Sequence, residues 1–130
     1  MPLARLKKRA DYLRVAKART VTKTQTVIVQ CCCLARGIGK PLEIRTGFTA
    51  SKRVGNSVSR NRAKRRLKAW VSRHLEEKVP VSFDASLDFV FIALKSTVDV
   101  DFSKLSADLD FSIERCLRNV VVPKDQFKIC

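Results

Sequence analysis

Ser51-Lys52-Arg53-Val54-Gly55-Asn56-Ser57-Val58-Ser59-Arg60-Asn61-Arg62-Ala63-Lys64-Arg65-Arg66 closes one apolar run and opens the next element. Gly55-Asn56 is a turn signal. Behind it Ala63, Leu67, Trp70 and Val71, with His74 at the margin, recur at three- and four-residue steps. A helix is therefore expected from about Ser57 to Glu77, capped by Ser57 or Ser59 and stopped at Glu77-Lys78-Val79-Pro80. From Thr46 to Leu75 there are nine Lys or Arg and no Asp or Glu. A solvated surface helix would intersperse acids to form i,i+4 pairs. It would also keep cations off its N-terminal end, where the helix dipole is positive. This segment does neither. A polyanion partner accounts for both departures, because helix-start N–H groups and adjacent arginines together bind phosphate.

Working outward, Leu3, Leu6, Ala10, Leu13 and Ala16 predict an amphipathic first helix over about 4–18. Thr20 to Leu34 is rich in β-branched residues and predicts one strand, or two short ones with a bend. Ala35 to Pro41 is expected to be a loop. Its Gly37-Ile38-Gly39-Lys40 is too short to be a P-loop, and no helix follows it. Leu42 to Ser51 predicts a further strand. Asp88 to Leu94 is nearly all apolar, as for a central strand covered on both faces. Asp101 to Asn119 predicts a last helix on Leu105, Leu109, Ile113, Cys116 and Leu117, with Asp108, Asp110 and Glu114 on its polar face. The order of elements gives an α/β sandwich, one sheet with helices packed on it.

At 130 residues with 45% hydrophobic content, the chain is expected to form one domain, with residues 120–130 a tail. Its formal net charge of +15 is unevenly placed. Residues 1–75 hold 20 Lys+Arg against 2 acids, and residues 76–130 hold 7 against 10. Such one-sided basicity points to nucleic acid or an anionic membrane surface. A membrane-surface helix would need Leu67, Trp70 and Val71 on its apolar face, but the core between two apolar strands needs them first. A nuclear-localisation-type cluster leaves the Gly-Asn turn unexplained. No run of eighteen apolar residues occurs, so no spanning helix is expected. No apolar segment follows the first cations, which argues against a secretory signal; an Arg-rich transit segment over residues 1–19 stays open.

Of the five cysteines, Cys31, Cys32 and Cys33 are consecutive, so on a strand they alternate between faces and cannot form a thiolate cage. They are expected to be reduced and to serve as small hydrophobes, with Cys130 exposed to oxidation. Neither metal nor small-molecule substrate is indicated. The basic segment has no carboxylate pair and no Cys/His dyad, and the chain has one histidine, so no catalytic residue is expected in the protein. Arg60, Arg62 and Arg65 offer bidentate forks to phosphate and Lys64 a point charge. Asn61 either contacts the polyanion or a hydrated metal ion, or caps or braces the helix start. Lys52 and Arg53 extend the same surface from the end of the preceding strand.

Gly47-Phe48-Thr49-Ala50 followed by the quoted stretch and Leu67 closely resembles the signature of the bacterial ribonuclease P protein component, with Arg60-Asn61-Arg62 and Lys64-Arg65 on its RNR motif. Arg5-Leu6-Lys7-Lys8-Arg9-Ala10-Asp11-Tyr12 resembles that family's N-terminal segment, and Asp88-Phe89-Val90-Phe91-Ile92-Ala93 its last strand. The resemblance covers about residues 5–119. It implies an αβββαβα fold with a left-handed crossover around the basic helix, where handedness rules alone give a right-handed one. It implies a cytoplasmic subunit of a ribonucleoprotein whose catalytic RNA, with Mg2+ held mainly by that RNA, removes the 5′ leader of precursor tRNA. The protein alone is then inactive. The implied RNA-binding set is Lys52, Arg53, Asn56, Arg60, Asn61, Arg62, Lys64, Arg65, Arg66 and Lys68. The implied leader cleft holds Lys8, Arg9, Tyr12 and Lys17, with Tyr12 on the stacking position. This chain departs from the family at Ala16 and Thr26, where relatives often carry aromatics. The alternative is a structural RNA-binding protein, ribosomal or rRNA-chaperone-like, with no enzymatic assembly.

Overall fold

The computed structural model describes residues 3–35, 43–79 and 85–120. The expected loop at 35–41 falls almost wholly outside them, as do Pro80, the tail and Cys130. The elements run β1 (Leu3–Arg5), α1 (Arg9–Lys17), β2 (Thr20–Lys23), β3 (Val27–Ala35), β4 (Ile44–Thr49), α2 (Ser57–Lys78), β5 (Ala85–Ala93) and α3 (Phe102–Asn119). The five strands form one sheet in the order β1-β4-β5-β3-β2. β4 and β5 are parallel neighbours, so the chain between them, carried by α2, makes a crossover. β3 pairs antiparallel with both β5 and β2, and β1 lies parallel to β4.

Alternation along β5 sorts the layers. Leu87, Phe89, Phe91 and Ala93 join the main core with Val27, Val29, Cys31 and Ile44, and α2 and α3 close over that face. Val90 and Ile92 face the other way, into a smaller cluster with Leu6, Val15 and Cys32 beneath α1. The central strand is therefore covered on both faces, as its apolar run predicts. The expected α2 stripe is buried at Ala63, Leu67, Trp70 and Val71, and Leu75 extends it. Leu67, Leu75, Leu105 and Phe89 have no exposed surface, and burial of each contributes about 1.5–3 kcal/mol. Trp70 Nε1 donates to Ser106 Oγ at 3.1 Å, so its one polar atom is satisfied. The cysteine trio alternates as expected: Cys31 and Cys33 sit on the α3 side, Cys32 on the α1 side. Burial pushes the Cys33 thiol up to about 12, which keeps it unreactive at neutral pH.

Three expectations are corrected. The first helix does not span 4–18. Leu3 packs against the main core and Leu6 into the smaller one, on opposite faces of the sheet, which a helix three residues long cannot do. Leu3–Arg5 instead pairs as β1 with the otherwise open edge of β4, and Leu6 N–H extends the pairing to Thr46 O at 2.9 Å. In α1 the wholly buried side chain is Val15, while Ala10, Leu13 and Ala16 are exposed. Second, Asn56, not Ser57 or Ser59, caps α2, accepting from Ser59 N–H at 2.9 Å. Third, Asp108 is not on an outer acidic face. It is buried, taking the Thr26 hydroxyl at 2.8 Å and Lys104 Nζ at 3.2 Å.

Candidate nucleic-acid interface

The basic surface begins where β4 leaves the sheet. Lys52–Val54 forms a 3₁₀ turn, with Ser51 Oγ accepting from Arg53 N–H at 3.3 Å. Gly55 follows at φ +143°, a conformation that side chains rarely adopt, and a Cβ there would meet Ser59 Cβ at 3.0 Å. The glycine lets the chain reverse directly into the Asn56 cap, and the first turn of α2 carries no acid. Asn56 satisfies one of the four N–H groups a helix start leaves open. Lys52, Arg53, Asn56, Asn61 and Arg65 are exposed around this end. With Asn56 as the cap, Asn61 does not brace the helix start, and its amide is presented to solvent.

The arginines and lysines of α2 divide by face. Arg62 Nε donates to Val98 O at 3.0 Å, and the same atom lies 3.8 Å from Asp99 Oδ1. Arg66 donates to Thr97 O at 2.7 Å and to Val100 O, with its guanidinium 5.8 Å from the Phe102 ring centroid. These two residues, expected in the RNA-binding set, also bind α2 to the turn before α3. Arg62, Arg65, Arg66 and Phe102 line a shallow hollow of about 280 Å³ there. Lys64 and Lys68 point to the opposite side of α2. Lys68 Nζ lies 5.7 Å from the Phe48 ring centroid, and burial first, then Arg5 and Lys64, lower its pKa. Arg60 is half-buried, with Nε enclosed and no hydrogen-bond partner.

A second groove of about 120 Å³ runs between α1 and α2 over the end of β4. Tyr12, Phe48, Lys64 and Lys68 line it, with Arg5 at its rim. Tyr12 is half-buried, and its hydroxyl donates to Leu6 O at 3.4 Å. Its ring fills the space above Gly47, where a Cβ would stand 2.6 Å from Tyr12 Cε1. Phe48, which sequence reasoning did not single out, stacks on Phe91 at 5.4 Å and 17°, with Lys68 above it. Its place in the Gly-Phe-Thr motif beside the basic turn was the available signal. Lys8, Arg9, Lys17 and Ala16 are exposed along α1. Beyond α1 the same sheet face carries Val21, Gln30, Ile28 and Ile92, paired across β2, β3 and β5 and none of them fully buried. Thr26 is not on that face, because its hydroxyl bonds Asp108 under α3.

Under α1 lies an ionic cluster that the apolar reading of β5 passed over. Asp88, 1% exposed, takes both arms of Arg45 at 2.8 and 2.7 Å and a further bond from Arg14. Arg14 Nη1 also donates to Asp11 Oδ1 at 2.9 Å. The Arg14 hydrogen bond holds the Asp11 carboxyl below the ordinary carboxylate range, with Arg45 and Lys8 adding to it. Hydrogen bonding to Asp88 raises the Arg45 pKa. Among the described residues no three His, Cys, Asp or Glu side chains converge to hold a metal ion, and no helix is long and apolar enough to cross a membrane.

Residues 2–117 match the family model described as Ribonuclease P. The chain is similar to the ribonuclease P protein component of Paramagnetospirillum magneticum, 43% identical over 116 residues, which cover 87% of this chain and 82% of that protein. It is also similar to that of Ruegeria pomeroyi, 39% identical over 120 residues, covering 92% and 87%. The RNase P protein from Thermotoga maritima shares its fold, with a TM-score of 0.67 at 23% identity over 85% of this chain and 96% of that one.

Proposed function

The chain belongs to the ribonuclease P protein family, and from that premise we propose that it binds a catalytic RNA and the 5′ leader of precursor tRNA, assisting endonucleolytic removal of the leader in the cytoplasm. The observation that carries this reading is that α2 carries an exposed cation-rich start and, on its other side, two lysines that line an aromatic groove. Arg60, Arg65, Lys52, Arg53 and Asn61 engage the catalytic RNA. Arg62 and Arg66 add their free N–H groups to the same face while holding it to the turn at 97–100. Lys64 and Lys68, on the other side of α2, line the groove in which Tyr12 and Phe48 offer surfaces to an unpaired base. Stacking on such a ring is worth about 1–3 kcal/mol per base. Lys8, Arg9 and Lys17 on α1 extend the positive field along the leader.

Hydrolysis belongs to the RNA, whose bound Mg2+ supplies the chemistry. Both oxygens of Asp88 are taken up by Arg45 and Arg14, and Oδ1 of Asp11 by Arg14, so this arginine-paired donor set does not fit a resident divalent cation. Family membership favours this assembly over a structural RNA-binding protein.

Reconstitution tests the division of labour. The purified protein, freed of RNA by nuclease treatment, is expected to leave precursor tRNA intact, and to stimulate cleavage by its cognate RNA at low Mg2+. Cleavage by the RNA-free protein would overturn it. RNA sequencing after pull-down adds a second check: one dominant catalytic RNA with tRNA precursors is expected, and mainly rRNA would favour the structural alternative.

A further inference from the structure

The acid at the start of β5 is the one carboxylate among the described residues that is almost wholly enclosed and gripped by two arginines from different elements. We propose that Asp88 is a positioning residue: clamped by Arg45 of β4 and Arg14 of α1, it fixes α1 on the sheet so that the Tyr12 ring stands where the leader passes. The proposal rests on the reading of Tyr12 as a leader contact.

Apolar packing alone gives α1 little to settle on. Val15 is its one fully buried side chain, and the cluster beneath it is small. A helix so placed can slide or roll at low cost. The ionic cluster removes that freedom. Arg45 meets Asp88 through two parallel N–H bonds, which accept a single orientation of the carboxylate. Arg14 then ties the helix to that fixed carboxylate, and Asp11, bonded to Arg14 within the helix, adds a longer ionic contact of 3.8 Å to Arg45, so α1 meets the sheet charges on both sides of Tyr12. Buried ion pairs add little net stability over apolar packing, so the contribution of this one lies in the single orientation its bidentate geometry accepts. Gly47 completes the arrangement from the other side: with no Cβ, it leaves a space that only a correctly placed ring fills.

Tyr12 is the chain's single tyrosine, so 3-fluorotyrosine incorporation gives one ¹⁹F resonance reporting its ring. Asp88→Asn and Arg14→Gln are expected to shift or broaden that resonance while the far-UV circular dichroism stays that of the wild type. Arg14 is partly exposed and its loss leaves the Arg45–Asp88 pair intact, so R14Q serves should D88N not fold. In the complex with the cognate RNA, the affinity for precursor tRNA relative to the same tRNA without its leader is expected to fall about tenfold in R14Q. The Y12A/R14Q double variant should lose no more than Y12A alone. An unmoved resonance, or fully additive losses in that cycle, overturns the clamp. If Y12A itself leaves the leader ratio unchanged, the leader reading fails, and the role assigned to the clamp fails with it.

Discussion

Arg66 donates to the carbonyls of Thr97 and Val100, whereas its neighbour Arg65 is exposed. Nothing in Arg-Arg distinguishes them; 100° of helical rotation does. Removing Arg66 takes a charged donor from the carbonyls of buried Thr97 and half-buried Val100, so Arg66→Ala should cost about 1–3 kcal/mol in urea unfolding. Arg65→Ala should change stability by no more than about 0.5 kcal/mol. It should instead lower the salt slope of RNA affinity by about 0.7–0.9, one phosphate contact. An unchanged slope would remove Arg65 from the interface. Gly47 gives a second residue-level expectation. Gly47→Ala places a methyl group within 2.7 Å of three Tyr12 ring-end atoms, and the side chain yields more readily than the strand. The protein should fold, with leader affinity reduced about as far as in Y12A; retention of full leader affinity would show that the ring's seat is unimportant. The cations of the motif were legible in the sequence, but their division into free and internally bonded was not. Arg66 finds its acceptors 31 and 34 residues away.

At the scale of elements, α2 was almost fully legible, since an apolar stripe at helical spacing is a local pattern and all four of its expected core positions are buried. Its cap lies at Asn56, one residue before Ser57 and three before Ser59. The three side chains compete within four positions, and the Gly55 reversal decides in favour of Asn56. Asn56→Ala should destabilise the protein by about 1 kcal/mol. Asn56→Asp keeps the capping oxygen and complements the dipole, so stability should hold while a negative charge at the RNA face weakens binding. Equal RNA affinity for N56D and the wild type, measured at low salt, would place the cap away from the RNA. The first helix was less legible. Leu3, Leu6, Ala10, Leu13 and Ala16 do have helical spacing, but β4's open edge competes for the first of them and wins. Backbone pairing there satisfies groups that a longer helix would have left unpaired.

Across the whole molecule, two cores of unequal size sit on one sheet. The large one beneath α2 and α3 holds most of the buried side chains, and the small one beneath α1 holds few. Amide exchange in α1 is therefore expected to be faster than in α2, α3 and β5, and uniform protection would contradict this division. Acid should widen the gap. The Asp11 carboxyl is held below its ordinary range by Arg14, with Arg45 and Lys8 nearby, so its contribution to stability is present above its unfolded value of about 3.9. That contribution is lost as pH falls through the lower folded value. The Tyr12 ¹⁹F resonance should thus change before the Trp70 fluorescence on acid titration, and simultaneous loss would argue against a separately held α1. The fold class, the basic helix with its buried stripe, and the one-sided positive charge can all be read from the sequence alone, because each is a periodic or cumulative property of neighbouring residues. Only the tertiary structure decided that Arg62 and Arg66 are shared with a loop, that Thr26 and Asp108 meet across 82 residues, and that Asp88 holds α1 in place. Those are pairings of single side chains distant along the chain, and the packing of the sheet and helices alone brings them within bonding distance.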